Sequence, residues 1–352
     1  MKKIALYINQ FLNKTTIISG LSVLVLFIIL RYLKAEEFIT YYLSIAIVAI
    51  LFYTLQKRLV NLTLGLAFGL LAFSFLNLGL KTYHSFEKIP VFDYRCLYHF
   101  GKIGVSGGNF YDPENSIRLN DVSVTDSETN EFMEEIVKVG FWYPPPTMFI
   151  FAPIGFLDVS TAYLFWMTFI TASLLISLFV LLKLLAGYFQ NWIYILIIIS
   201  LFLVYPATRS TISFSQTNFL LLLFLIMTII NMDNWKAGVF LVFATIVKPV
   251  ALIWGIYFVI FKKYKILTSI VVTGVIVSLI TILVFGFDQF SQYLISPPTK
   301  RIPAFNYDEE FNVSLSATLI RFSKNFSIEY PSNLLRPFQV AIQINPLLSC
   351  KI

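Results

Sequence analysis

Apolar runs about as long as a bilayer is thick recur along this chain, and they restrict it to folds whose backbone polar groups are satisfied without water. Roughly twenty consecutive apolar residues cross a membrane as a helix, and a helix pairs its own N–H and C=O groups. Such runs can be drawn at 16–33, 38–55, 59–80, 160–183, 191–207, 214–230 and 266–285. They predict an all-α, polytopic transmembrane helix bundle and not a barrel. The composition agrees, because 58% of the 352 residues are hydrophobic and only 13% are charged, against about half and about a quarter in soluble domains.

The charge pattern orients the spans. The first run follows Lys2, Lys3 and Lys14, as a secretory signal would. It is long, however, and lacks a clear small-residue cleavage site, so a retained span is expected. With the N-terminus in the cytoplasm, Lys57, Arg58, Lys183, Lys236, Lys262, Lys263 and Lys265 all fall on the cytoplasmic side, with Asp233 the acid among them. That is the positive-inside pattern. Arg31 and Lys34 would lie outside, offset by Glu36 and Glu37. The net charge of +7 therefore reads as topology and not as a nucleic-acid surface, which would need a basic stripe with interleaved aromatics. Two cysteines, Cys96 and Cys350, give neither a disulfide framework nor a ligand set. His84 and His99 have no partners at zinc spacing. No metal and no cofactor is expected.

The same rule holds at 236–264 only if that stretch enters and leaves on one side. Lys248-Pro249 interrupts it, and proline removes a backbone donor and clashes with the preceding turn. Two half-helices joined at Lys248, forming a re-entrant hairpin, are expected. The domain reading is then a three-span segment at 1–80 and an extracytoplasmic loop at 81–147. A membrane bundle with a broken helix at 248–249 occupies 148–286, and an extracytoplasmic segment runs from 287 to 352. Residues 148–157, apolar but short and broken by Pro153, should dip into the outer leaflet.

The long loop concentrates the chemistry, with ten of the nineteen Asp and Glu residues. Asp93, between Phe92 and Tyr94, can act as a general base at the membrane surface, or be an ordinary solvated acid. Asp112 has the same choice, with turn formation favoured by the following Pro113. Tyr143, before three prolines, is a rigid corner that can also present its ring to a sugar face. Lys248 near mid-membrane is costly, and it either meets a bound anion such as a phosphate, pairs with an internal acid, or snorkels to the interface. Arg209, in a short outer turn, is a second candidate for the phosphate. Gln216 and Asn218 can bond a sugar or cap the helix they precede. Asn312, Ser314, Ser316 and Arg321 form either a polar docking set or a solvated helix face. The acidic insert at 120–135 has no role that its spacing assigns.

In order and context these pieces resemble the polytopic C-type-fold glycosyltransferases, specifically the family 87 group that includes polyprenyl-phosphate-mannose-dependent mannosyltransferases. The resemblance runs through Phe92-Asp93-Tyr94, Gly107-Gly108-Asn109-Phe110-Tyr111-Asp112 and Phe141-Trp142-Tyr143-Pro144-Pro145 before Pro153. It continues through Ala162 to Trp166, Ser215-Gln216-Thr217-Asn218, Lys248-Pro249 and Asn312-Val313-Ser314 with Arg321. It implies a GT-C-like fold and metal-independent, inverting transfer of a sugar, mannose above all. The donor would be a polyprenyl-phosphate sugar and the acceptor a lipid, glycan or protein hydroxyl, at the outer face of the cell membrane. Asp93 takes the catalytic aspartate position and Lys248 the role of phosphate anchor. Tyr94, Asp112, Tyr143, Gln216, Asn218, Asn312 and Arg321 would contact substrate. The family continues with further helices beyond its Asn-Ser-Arg region, so an end about thirty residues past Arg321 reads as a truncation. Rival readings are a transporter or flippase of lipid-linked sugars and a non-catalytic membrane subunit. Either would show no transfer with or without Asp93.

Overall fold

The computed structural model describes residues 13–32, 37–87, 93–112, 141, 143–188 and 192–295. Asn312 and Arg321 lie outside these, as do Trp142 and the insert at 120–135. Among the described residues there are thirteen α-helices, two 3-10 turns and no strand. The protein is an all-α polytopic membrane protein. Three helices are long and apolar enough to cross a membrane, at Val60–Phe86, Val159–Gly187 and Tyr264–Phe285. Trp192–Val204 and Pro206–Ser213, bent by 47° at their joint, can make a fourth span. Of the other apolar runs expected to span, 16–33, 38–55 and 214–230 appear as shorter apolar helices within the described residues.

The chain divides into two compact units, one from Met1–Pro90 with Leu164–Ile226, the other from Val91–Tyr163 with Met227–Ile352. In the first, α1 (Lys14–Tyr32), α2 (Glu37–Gln56) and α3 (Val60–Glu87) are joined later in the chain by the greater part of α6 (Val159–Tyr188), α7 (Trp192–Val204), α8 (Pro206–Ser213) and most of α9 (Asn218–Ile230). Small residues let α1 and α3 meet closely. A Cβ at Gly65 would run into the Ser19 hydroxyl and the Thr16 carbonyl, and Gly69 sits against the Gly20 backbone in the same way. Van der Waals packing of this kind holds helices together where lipid offers no hydrophobic drive. Below the contact, Phe27 stacks on Phe73 with centroids 3.7 Å apart, among Leu51, Leu70, Ile197 and Val204.

The second unit contains α4 (Asp93–Val105), a 3-10 turn at Pro145–Thr147, α5 (Met148–Gly155) and the start of α6. It is completed by α10 (Lys236–Val247), a second 3-10 turn at Pro249–Leu252, α11 (Ile253–Ile260), α12 (Tyr264–Phe285) and α13 (Phe287–Ile295). Two features differ from the loop expected at 81–147. Residues 81–87 continue α3, and 93–105 form an amphipathic helix. That helix packs on α5 through a backbone contact between Gly101 and Gly155, where a Cβ on either would collide with the other segment's backbone.

Proline sets the breaks. Tyr205 and Lys248 are both extended (ψ 131° and 119°) and both precede proline, the conformation that the proline ring forces on its predecessor. At about 1.5 Å per residue neither α10 nor α11 reaches across a hydrocarbon core. Their ends remote from the break meet instead, because the Lys263 ammonium lies 2.7 Å from the Asp233 carboxylate. Gly238, early in α10, packs on Ile266 to Ile270, early in α12. The chain therefore goes up α10, turns at Lys248 and returns to the end from which it started. Along α12 apolar side chains such as Val271 and Leu283 are exposed, the latter by 83%, as lipid-facing positions are.

Candidate functional site

The second unit assembles a polar and aromatic cluster from segments far apart in sequence. Asp93 opens α4. Tyr94 and Tyr98, on one face of that helix, donate their hydroxyls to the Val159 and Leu157 carbonyls at 3.0 and 2.9 Å. Tyr94 is fully buried, edge-on to Tyr163 with centroids 4.8 Å apart. Its burial, and then the neighbouring Tyr98, hold its hydroxyl far above the usual phenol range, so it remains a donor. Tyr94 thereby braces α4 against the start of α6. These contacts, with Gly101 on Gly155 and Gly104 against Met148, make α4 and α5 antiparallel neighbours. Asp93 stands at the Val159 end, and Gly104, about 16 Å away along the helix, at the Met148 end.

Beyond α4 the chain turns sharply. Gly107 adopts φ 74°, a left-handed conformation that glycine takes without steric cost. The Asn109 side-chain oxygen accepts from the Tyr111 N–H at 3.0 Å, and the Asp112 N–H donates to the Asn109 carbonyl at 3.2 Å. Asp112 thus closes a turn that begins at Asn109. Phe141 returns beside this turn, its N–H donating to the Phe110 carbonyl at 2.9 Å. The buried Tyr111 donates its hydroxyl to the Tyr143 carbonyl at 2.6 Å. Tyr143 lays its ring against Phe141 and Phe151, with centroids 5.6 Å from each. The triple proline then carries the chain to Thr147, whose hydroxyl donates to the Ile246 carbonyl at 2.6 Å. Lys248, half-buried, stands two residues beyond Ile246. The hairpin tip is therefore tied to the Met148 end of the α4–α5 pair, and Asp93 is held at the other end.

Lys248 caps α10 at the negative end of its dipole, which suits an ammonium. Residues 249–252 then form a short 3-10 turn and not the start of an α-helix. Pro249 has no N–H, and the Ala251 N–H turns back to the Lys248 carbonyl at 3.0 Å. A 3-10 turn adds little helix dipole here, so the positive charge at the break is the Lys248 ammonium itself.

A separate polar cluster lies in the first unit. Arg209 in α8 is buried. Asn218 donates to the Thr211 hydroxyl at 2.9 Å and to the Gln216 side-chain oxygen at 2.8 Å, so Gln216 and Asn218 engage each other. Between them and α8, Ser215 has φ 54°, strained for a residue with a Cβ. Trp166 fixes that turn by donating its indole N–H to the Ser215 carbonyl at 2.8 Å. Sequence reasoning noted Trp166 and Ser215 but gave no sign of this bond, which joins positions 49 apart.

The sequence profile described as Glycosyltransferase family 87 matches residues 141–346. The chain belongs to glycosyltransferase family 87. It is accordingly a glycosyltransferase, using a sugar donor and an acceptor. The family 87 match takes in Tyr143, Arg209, Gln216, Asn218, Lys248, Asn312 and Arg321, while Asp93, Tyr94 and Asp112 precede it. No curated protein and no solved structure matches the chain. Within this family 87 chain the described residues bring together 107–112, 141–147 and the Lys248 tip. Arg209, Gln216 and Asn218 belong to the other unit.

Proposed function

We propose that this family 87 protein transfers a hexose, mannose by preference, from a polyprenyl-phosphate-linked donor to a hydroxyl of a lipid, glycan or protein acceptor. The transfer inverts the anomeric carbon and takes place at the outer face of the cell membrane. The observation that carries the reading is the family match across the Lys248 break, which sets a lysine at a helix interruption in an apolar segment. A cation there suits a phosphate whose lipid tail lies in the bilayer.

In the proposed reaction Asp93 takes the proton of the acceptor hydroxyl as that oxygen forms its bond to the anomeric carbon. The bond from that carbon to the phosphate oxygen breaks, and its electron pair leaves with the polyprenyl phosphate. Charge on the departing phosphate grows as the bond stretches, so a fixed ammonium stabilises the transition state more than the ground state. Lys248 serves as this anchor. The attacking and departing oxygens share one carbon, so this reading requires Asp93 and Lys248, which stand at opposite ends of the α4–α5 pair, to draw together on the bound donor. Tyr143, Asp112, Asn312 and Arg321 are the candidate contacts to sugar and acceptor. Tyr94 is a positioning residue.

The test is transfer of radiolabelled mannose from polyprenyl-phosphate mannose into lipid and glycan fractions by membranes carrying the wild type, Asp93→Asn or Lys248→Met at matched expression, beside membranes lacking the protein. Loss of transfer in Asp93→Asn supports the base. Retained transfer in Asp93→Asn assigns it elsewhere. A wild-type signal equal to the blank removes mannose transfer and favours a transporter or flippase of lipid-linked sugars.

A further inference from the structure

The helix α13 is amphipathic in the opposite sense to a helix on a soluble protein. Phe287, Leu294 and Ile295 face outward, exposed by 65%, 73% and 77%, while Gln289 is only 5% exposed. Gln289 donates its amide N–H to the Gly108 carbonyl at 3.4 Å. Its side-chain oxygen is shut off from solvent and finds no donor among the described residues, and the Gln292 oxygen one turn later is in the same condition. Beside them Tyr293 sets its ring 5.6 Å from that of Tyr111. The polar face of α13 is thus turned toward the Gly107-Gly108 turn.

Two buried amide oxygens without donors destabilise a fold unless something supplies the missing hydrogens. Both oxygens are acceptors only, so whatever meets them must donate. Two acceptors one helical turn apart, flanked by a tyrosine ring, match a molecule with hydroxyls around its rim and an apolar C–H face. A pyranose has that form. We propose that Gln289, Gln292 and Tyr293 make a subsite for the hydroxyls of a pyranose, closed in this structure by the Gly107-Gly108 turn against which Gln289 lies. This rests on the hexose-transfer reading. The subsite opens where α13 parts from that turn, and a glycine stands at the joint on either side. Gly286, which links α13 to α12, has φ 90° and ψ 156°, a conformation essentially confined to glycine. Gly107 lies at φ 74° in that turn.

The experiment reads binding and not turnover. Saturation-transfer NMR is recorded with methyl α-D-mannopyranoside and methyl α-D-glucopyranoside on the purified full chain in nanodiscs. Comparison is made with empty nanodiscs and with Gln289→Met and Gln292→Met, which keep side-chain length and helix propensity. Wild-type signal above the empty discs, falling by about fivefold in a variant that melts at the wild-type temperature, is the expected result for one lost hydrogen bond. Gln292 is the less buried, so its variant keeps the test decisive if Gln289→Met does not fold. Equal signals in the wild type and the folded variants assign the two oxygens to bound water and overturn the subsite, as does a wild-type signal no greater than that of empty discs. Displacement by added polyprenyl-phosphate hexose assigns the subsite to the donor sugar, and persistence assigns it to the acceptor sugar. Glutamine-dependent binding in a chain that transfers no hexose would remove the transfer reading and leave the subsite standing. Transfer with unaltered binding in the variants would do the reverse.

Discussion

Lys263 closes on Asp233 at 2.7 Å across thirty positions of sequence, so the stretch between them is a loop into the protein that comes back. Single cysteines at Asn234 and Lys262 should therefore share one accessibility to a membrane-impermeant maleimide. Both should stay unlabelled in intact cells and label after permeabilisation, the outcome that the positive-inside rule predicts for such basic flanks. One labelled and one protected position would make 236–260 a single crossing.

The bridge also raises the Lys263 pKa, first through its hydrogen bond to Asp233 and then through the opposite charge. Asp158 shows the reverse. Its carboxylate lies at the start of α6 and accepts from the N–H groups of Ser160 and Thr161 at 3.1 and 3.0 Å. Hydrogen bonds to Thr161, side chain first, lower its pKa. A depressed carboxylate stabilises the fold above its unfolded value of about 3.9 and loses that contribution as pH falls through the folded value. Asp158→Ala should lower the thermal midpoint at pH 7, and the gap from wild type should shrink below about pH 4. A gap that is unchanged at low pH would separate the charge from the cap.

Gly101 and Gly155 touch backbone to backbone, so Gly101→Val inserts bulk where no side chain can move aside. A cost of about 3 kcal/mol or more is expected, read as a lower unfolding midpoint in detergent. With α4 displaced, transfer should fall together with Asp93 registry. A variant with full stability would contradict the close packing.

The Tyr94 hydroxyl makes one bond, to the Val159 carbonyl. Tyr94→Phe should cost about 1 kcal/mol and Tyr94→Ala about 3–5 kcal/mol, in equilibrium unfolding. A bracing role predicts that Tyr94→Phe leaves KM for donor and acceptor alone. A rise in either KM with unchanged stability would instead put the hydroxyl on a substrate.

Ser215 holds a left-handed backbone conformation that costs a residue with a Cβ about 1–2 kcal/mol. Ser215→Gly should be neutral or stabilising, and Ser215→Val clearly destabilising because a branched Cβ fits that region worst. Equal midpoints for the two variants would show that the turn relaxes freely.

Much of this fold was legible where the signal is local. The apolar runs found α3, α6 and α12, and Pro206 and Pro249 mark in the sequence the points at which α7 and α10 stop. The helix at Asp93–Val105 was hidden because Arg95, His99 and Lys102 dilute its apolar period and its partner, Gly155, lies far along the chain. The same holds for α13, whose inward glutamines read as solvated tail. The mutual bonding of Gln216 and Asn218 in the other unit was not foreseen, since each reads as a sugar contact or a helix cap, but the turn at Asp112 is set by residue type. The Thr147 bond to Ile246 is not, since nothing in a serine-like hydroxyl names a carbonyl 99 positions away.

Those long separations set an order of assembly. The Gly108 carbonyl cannot receive the Gln289 amide until 181 further residues have been made, which at about 5–20 residues per second takes roughly 9 to 36 seconds. During that interval the second stretch of the other unit, Leu164–Ile226, enters the membrane. The wall at Gly107-Gly108 waits open while its neighbours settle, and the part of this protein best suited to hold a sugar is among the last to close.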